Sequence, residues 1–107
     1  MLHQPARLKI MLHLYLRRVG EFTAMQRDLG LTPGNLQAHL AALEKAGYLE
    51  AKRGLIELRP RVRYVITPAG SAAVQGYAAY LEGVLADVAR VVGQGTAGEP
   101  GSIWGNG

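Results

Sequence analysis

The segment Gly30-Leu31-Thr32-Pro33 constrains this chain more than any other stretch of it. Glycine takes up the left-handed conformation that ends a helix without steric cost. Threonine just before a helix caps its free backbone donors, and proline suits the first helical position because its missing N–H has no partner there. Two helices are therefore predicted to meet across a short turn, one capped by Thr23 and running to about Leu29, the other running from Pro33 to Ala46. In the second, Leu36, Leu40 and Leu43 share one face and Gly47 supplies the left-handed stop.

The flanking segments fill in the rest. From Pro5 to Arg18, Leu8, Met11, Leu12, Tyr15 and Leu16 recur at helical spacing, while Ile10 and Leu14 add apolar surface elsewhere, so this helix is predicted to be covered on two sides. Gly20 is expected to end it, with Glu21-Phe22 as a link. After Gly47, Tyr48–Arg53 and Val62–Ile66 alternate as strands do, and Gly54–Arg61, with its proline, reads as the extended tip of a β-hairpin. Thr67-Pro68 repeats the helix-start signal and opens a final helix to about Val92, roughly 37 Å long at about 1.5 Å per residue. Its Val74, Tyr77, Leu81, Val84, Val88 and Val91 follow at intervals of 3, 4, 3, 4 and 3, the seam of a coiled coil. Gly93–Gly107, glycine-rich with Pro100 and Trp104, is expected to be a disordered tail.

The predicted fold class is mainly α with a small β-hairpin wing: a winged helix-turn-helix plus a long C-terminal dimerisation helix. The expected organisation is a winged helix-turn-helix domain over residues 1–67, a dimerisation helix over 68–92 packed on the same domain, and a flexible tail over 93–107. With 107 residues, one domain with a modest core is expected, and so small a domain gains by burying a further apolar face against a second copy.

Charge separates along the chain. Met1–Gly70 holds 11 Lys and Arg against 5 Asp and Glu, net +6, whereas Ser71–Gly107 holds 1 against 3, net −2. A basic front half points to an anion-binding module, with nucleic acid the leading partner. The absence of cysteine excludes disulfides, thiolate metal sites and cysteine nucleophiles. The longest apolar candidate, Ser71–Val92, is interrupted by Gln75, Glu82, Asp87 and Arg90, so no membrane span is expected and the protein is read as soluble and cytoplasmic. His3, His13 and His39 lack metal-site spacing, and neither a phosphate loop nor a nucleophile–base pair can be nominated. No catalytic residue, metal or cofactor is expected.

The order helix, helix, helix, hairpin, long helix resembles winged-helix transcriptional regulators of the MarR and ArsR type. The residues that carry the resemblance are Leu31-Thr32-Pro33-Gly34-Asn35-Leu36-Gln37-Ala38-His39-Leu40, Leu43-Glu44-Lys45-Ala46-Gly47-Tyr48-Leu49, Arg59-Pro60-Arg61-Val62-Arg63-Tyr64 and Thr67-Pro68-Ala69-Gly70. The likeness extends from about Gln4 to Leu85 and is strongest to the compact stand-alone winged-helix DNA-binding domains. It implies a homodimer with the third helix in the major groove of double-stranded DNA, the wing along the backbone or minor groove, and the first and last helices at the dimer interface.

With the three leucines inward, Thr32, Gly34, Asn35, Gln37, Ala38, Ala41 and Lys45 are the candidates for DNA contact on the third helix, joined on the wing by Lys52, Arg53, Arg59, Arg61 and Arg63. Asn35 and Gln37 carry the donor and acceptor pair that reads adenine, and alanine can touch a thymine methyl. So few polar side chains imply that affinity rests on phosphates and DNA shape. His39, at the edge of the core face, reads as a packed histidine rather than a DNA reader. Met11, Val74, Tyr77, Leu81, Val84, Val88 and Val91 are the candidate dimer interface, against the plainer reading that this face folds back on its own domain. Leu55, Ile56 and Leu58 are out of place on an exposed wing tip, and contact with DNA and docking on the partner subunit are both open. No residue demands a small-molecule effector, although the architecture has room for one between the first and last helices. The competing function is a winged helix that binds an acidic protein and ignores duplex DNA.

Overall fold

Three helices, a three-stranded antiparallel sheet and a fourth helix follow one another in the computed structural model, which describes residues 2–95. The elements are α1 (Pro5–Arg17), β1 (Val19–Glu21), α2 (Phe22–Leu29), α3 (Pro33–Lys45), β2 (Leu49–Ile56), β3 (Arg59–Ile66) and α4 (Pro68–Gly95). The chain divides into two units, Met1–Gly76 and Tyr77–Gly107. The last helix, expected to about Val92, continues to Gly95; the rest of the expected tail, with Trp104, lies outside the described residues.

The first unit is built around Ile10, Met11 and Leu14 of α1, Met25 of α2, Leu36, Leu40 and Leu43 of α3, Leu49 of β2, and Tyr64 and Ile66 of β3, all buried. The helix signals behave as their chemistry dictates. The Thr32 hydroxyl accepts from the Asn35 backbone N–H at 3.2 Å, Pro33 takes the first helical position, and Gly30 (φ 67°) and Gly47 (φ 83°) close the preceding helices.

Three local expectations need correction. Arg18, with φ 71°, ends α1 rather than Gly20, and its amide reaches back to the Leu14 carbonyl at 2.6 Å. Glu21-Phe22 is not a plain link: Val19–Glu21 pairs with Val65–Arg63 as an edge strand, and α2 begins at Phe22 without a side-chain cap, so Thr23 is not its cap. Gly20 sits in that strand because a Cβ there would lie 2.9 Å from Leu14 Cδ2 and 3.1 Å from Met25 Sδ. A strand of three residues is too short for alternation to reveal.

The third correction concerns Gly54–Arg61, where β2 and β3 stay paired out to Ile56↔Arg59 and only Glu57 and Leu58 form the turn. A hydrogen-bonded pair closes a two-residue turn and pairs alternate, so Leu55↔Pro60 is a non-bonded pair and the proline nitrogen points away from β2. On that side β1 reaches only to Arg63, so no ladder bond is lost. Glu57 (φ 52°) and Leu58 (φ 65°) both adopt positive φ, as a type I′ turn requires, at a cost of about 1–2 kcal/mol for each non-glycine residue.

Where α4 meets the sheet, Thr67 makes three bonds. Its amide donates to the Tyr48 carbonyl (3.1 Å), its hydroxyl donates to the Gly47 carbonyl (2.6 Å), and the same oxygen accepts from the Gly70 amide (3.0 Å). Gly70 then lies directly against the Tyr48 carbonyl oxygen, with Ile66 Cγ1 and Met11 Cε closing the remaining sides. Gly70→Ala would drive a methyl into backbone that cannot rotate away. The variant should lose roughly 2–3 kcal/mol of stability in urea unfolding; a loss below about 0.5 kcal/mol would show that the junction yields.

Candidate nucleic-acid interface

One side of α3 is turned outward as its periodicity requires. Gly34, Asn35, Gln37, Ala38, Ala41 and Lys45 are exposed, as is Thr32 at the cap, while Leu36, Leu40 and Leu43 are buried. The Thr32 bond to the Asn35 amide fixes the first turn, so the Asn35 side chain leaves a stiffened backbone. His39 is half-buried, and its Nδ1 accepts from Arg7 Nε of α1 at 3.1 Å, which ties α3 to α1 through a side chain rather than to the backbone.

The hairpin supplies the charge. In the β2–β3 register, Lys52 stands opposite Arg63 and Gly54 opposite Arg61 on one face, and Arg53 opposite Val62 on the other. Lys52 is partly neutralised by Glu50 at 3.0 Å. Arg53, Arg59, Arg61 and Arg63 are exposed, and none has an ion-pair partner among the described residues. Like charges across a ladder repel, so an arrangement of this kind gains from an external anion.

α3 and the hairpin are brought together by a cleft of about 390 Å³. Gln37 lines it from α3, Glu21, Phe22 and Thr23 from β1 and the start of α2, and Pro60, Arg61, Val62 and Tyr64 from β3. The buried Tyr64 hydroxyl is pushed above its usual pKa by burial, against an opposing pull from Arg53 and with a further push from Glu44. It therefore remains a protonated donor at neutral pH. Phe22, Thr23 and Pro60 escaped the sequence reading because strand β1, which carries α2 to this cleft, left no periodic signal.

Two residues expected at a dimer seam lie elsewhere. Met11 is fully enclosed, in contact range of Gly70, and Val74 is 5% exposed; both belong to the protein interior. Helical spacing placed them beside outward residues, but packing against the sheet decided which side of α1 turned in. The apolar residues that α1 does leave outward are Leu12 and Leu16. In the second unit, Leu81, Val84, Val88 and Val91 are exposed, and the Tyr77 and Tyr80 rings lie 6.3 Å apart.

These elements correspond to a known family. The winged helix DNA-binding domain family matches residues 6–85. The chain belongs to this family. An uncharacterized protein of Methanocaldococcus jannaschii is 38% identical over 71 residues, covering 66% of this chain and 77% of that protein. The structure of a transcriptional regulator homologue from Pyrococcus horikoshii superposes with a TM-score of 0.76 at 36% identity, over 81% of this chain and 86% of that one. A structure described as a MarR-family transcriptional regulator from Enterococcus faecalis gives a TM-score of 0.67 at 28% identity, over 83% of each chain. Among the described residues, no helix is long and apolar enough to cross a membrane.

His13 of α1 is also a buried titratable group. Burial lowers its pKa below 6.5, and Arg17 lowers it further, while Asp28 pulls it up. Because the folded state holds the proton less tightly than the unfolded state, stability falls as pH drops from 6.5 toward the lowered value and then levels off. Replacing His13 with Gln should flatten the urea midpoint across that window; an unchanged pH profile would mean that His13 does not contribute to it.

Proposed function

We propose that this protein is a transcriptional regulator that binds duplex DNA sequence-specifically as a homodimer. In this reading α3 enters the major groove and the basic wing follows the backbone and minor groove. The observation that carries it is the set of four guanidinium groups on the hairpin, without ion-pair partners among the described residues, beside the exposed, cap-anchored face of α3. The regulator homologue of Pyrococcus horikoshii, similar over most of both chains, supports a regulatory role.

Each residue then has a distinct part. Asn35 and Gln37 are the base readers, Ala38 and Ala41 offer only methyl contacts, and Thr32, Gly34 and Lys45 approach phosphates. Lys52, Arg53, Arg59, Arg61 and Arg63 neutralise the backbone and favour narrow minor grooves. Direct readout is thus confined to a few base pairs. The dimer forms through the exposed apolar residues of α4, namely Leu81, Val84, Val88 and Val91 with Tyr77, and through Leu12 and Leu16 of α1. Two α3 helices would then meet a pseudo-palindromic site with half-sites about 34 Å apart. Repression follows from occupation of promoter DNA.

Anisotropy titration of labelled random-sequence duplex at two salt concentrations tests the reading. Binding should weaken steeply with salt, and Arg61→Ala should reduce the slope by about 0.9. If the wild-type protein ignores duplex DNA even at low salt, the adaptor reading takes its place. Leu81→Asp should convert the dimer to monomer in sedimentation velocity, and a dimer that survives at micromolar protein would remove α4 from the interface.

A further inference from the structure

The far end of the hairpin carries apolar side chains that neither the core nor the phosphate-facing arginines employ. Leu55, Ile56 and Leu58 are 67, 40 and 89% exposed, and Pro60, opposite Leu55, is exposed as well. Strand alternation sets Leu55 and Pro60 on one face and Ile56 on the other, beside Arg59 and Arg61, with Leu58 at the apex. The turn that presents Leu58 has positive φ at both positions, a geometry that favours Asn-Gly, yet this chain places Glu57 and Leu58 there. A merely solvated basic hairpin needs neither the strained leucine nor the apolar surface around it. Strain and exposed apolar surface concentrated at one point mark a place of contact.

Charge identifies the occupant. Behind the apolar apex stand Arg53, Arg59, Arg61 and Arg63, without ion-pair partners among the described residues, against the single acid Glu57. An apolar tip ringed by guanidinium groups complements a polyanion whose interior is apolar, which describes the DNA minor groove: phosphates on both walls and stacked base faces within. We infer that Leu58 is a wedge that enters the minor groove and parts a base step, bending the duplex toward the major groove while the arginines hold the flanking phosphates. The inference rests on the DNA-binding reading above.

Dimensions limit what can enter. The minor groove is about 6 Å wide, and paired strands already lie about 4.8 Å apart before side chains are counted, so only the two-residue turn fits. Leucine cannot bond to the acceptors on the groove floor. Its favourable contact is with base faces exposed by partial unstacking. Flexible pyrimidine–purine steps such as TA open most readily, so the wedge confers sequence preference at a position that no side chain reads by hydrogen bonds. This supplies discrimination that the alanine-rich face of α3 does not.

The test uses the full chain and a duplex of about 30 base pairs with 2-aminopurine beside a central TA step and dyes at its ends. Anisotropy reports binding, 2-aminopurine emission reports unstacking, and energy transfer reports bending. Leu58→Asn removes the apolar wedge with a residue that tolerates positive φ. Wild-type binding should raise emission and shorten the end-to-end distance. Leu58→Asn should lose both signals and bind this TA-containing duplex several-fold more weakly, while its salt slope, set by the arginines, stays unchanged. Binding without a rise in emission, or a rise equal for both proteins, overturns the wedge and leaves DNA binding intact. Salt-dependent anisotropy absent from both proteins removes the DNA-binding reading and the wedge with it. Dissociation of the dimer by Leu58→Asn, with emission unchanged, assigns the tip to the partner subunit and also overturns the wedge.

Discussion

Thr67 and Gly70 together hold the winged domain in register. One threonine joins the end of α3, the start of β2, the end of β3 and the start of α4, because its amide and hydroxyl satisfy the Tyr48 and Gly47 carbonyls while its oxygen caps the Gly70 amide. The absence of a side chain at Gly70 lets α4 lie on the Tyr48 carbonyl. Four elements converge there through these three bonds, each contributing about 0.5–1.5 kcal/mol. The direction in which β2 and β3 leave α3, and hence the placement of the arginines relative to Asn35 and Gln37, follows from this junction.

A division of labour results. The faces that fold the chain are apolar and regular: the three leucines of α3, the inner face of the sheet, and Ile10, Met11 and Leu14 of α1. The exposed hairpin breaks local rules. The wing sets Lys52 opposite Arg63, leaves four guanidinium groups without ion-pair partners among the described residues and holds Leu58 at positive φ. The local rules are violated on the exposed hairpin alone among these faces, and the regular core tolerates the violation.

The legibility of the sequence divided along similar lines. The caps and stops of α3 and the start of α4 were legible because they are local chemistry, with Thr32, Pro33, Gly47 and Thr67 acting within a few residues of themselves, whereas the Thr23 cap and the Gly20 stop were misread because the β1 pairing intervenes there. The outward set on α3 was equally legible, since burying Leu36, Leu40 and Leu43 leaves Asn35, Gln37, Ala38 and Ala41 no other direction. Strand β1 was not, because three residues hold too little periodicity and its pairing partner is β3, 42 to 46 residues along the chain. The hairpin tip was misread for a related reason. Gly54 and Pro60 are turn formers by composition, yet Pro60 is harmless where its nitrogen faces an unpaired edge.

By itself the sequence determined where α3 begins and ends and where α4 begins, which residues alternate across the hairpin, and that positive charge gathers before Gly70, all consequences of bonds and spacings a few residues long. The tertiary structure alone decided which side of α1 turned inward, taking Met11 into the core and leaving Leu12 and Leu16 outside. It alone placed Gln37 across a cleft from Arg61, carried α2 there on β1, and joined Arg7 to His39. Those outcomes depend on contacts between residues far apart in the chain, and helical or strand periodicity records that an apolar face exists without recording what will cover it.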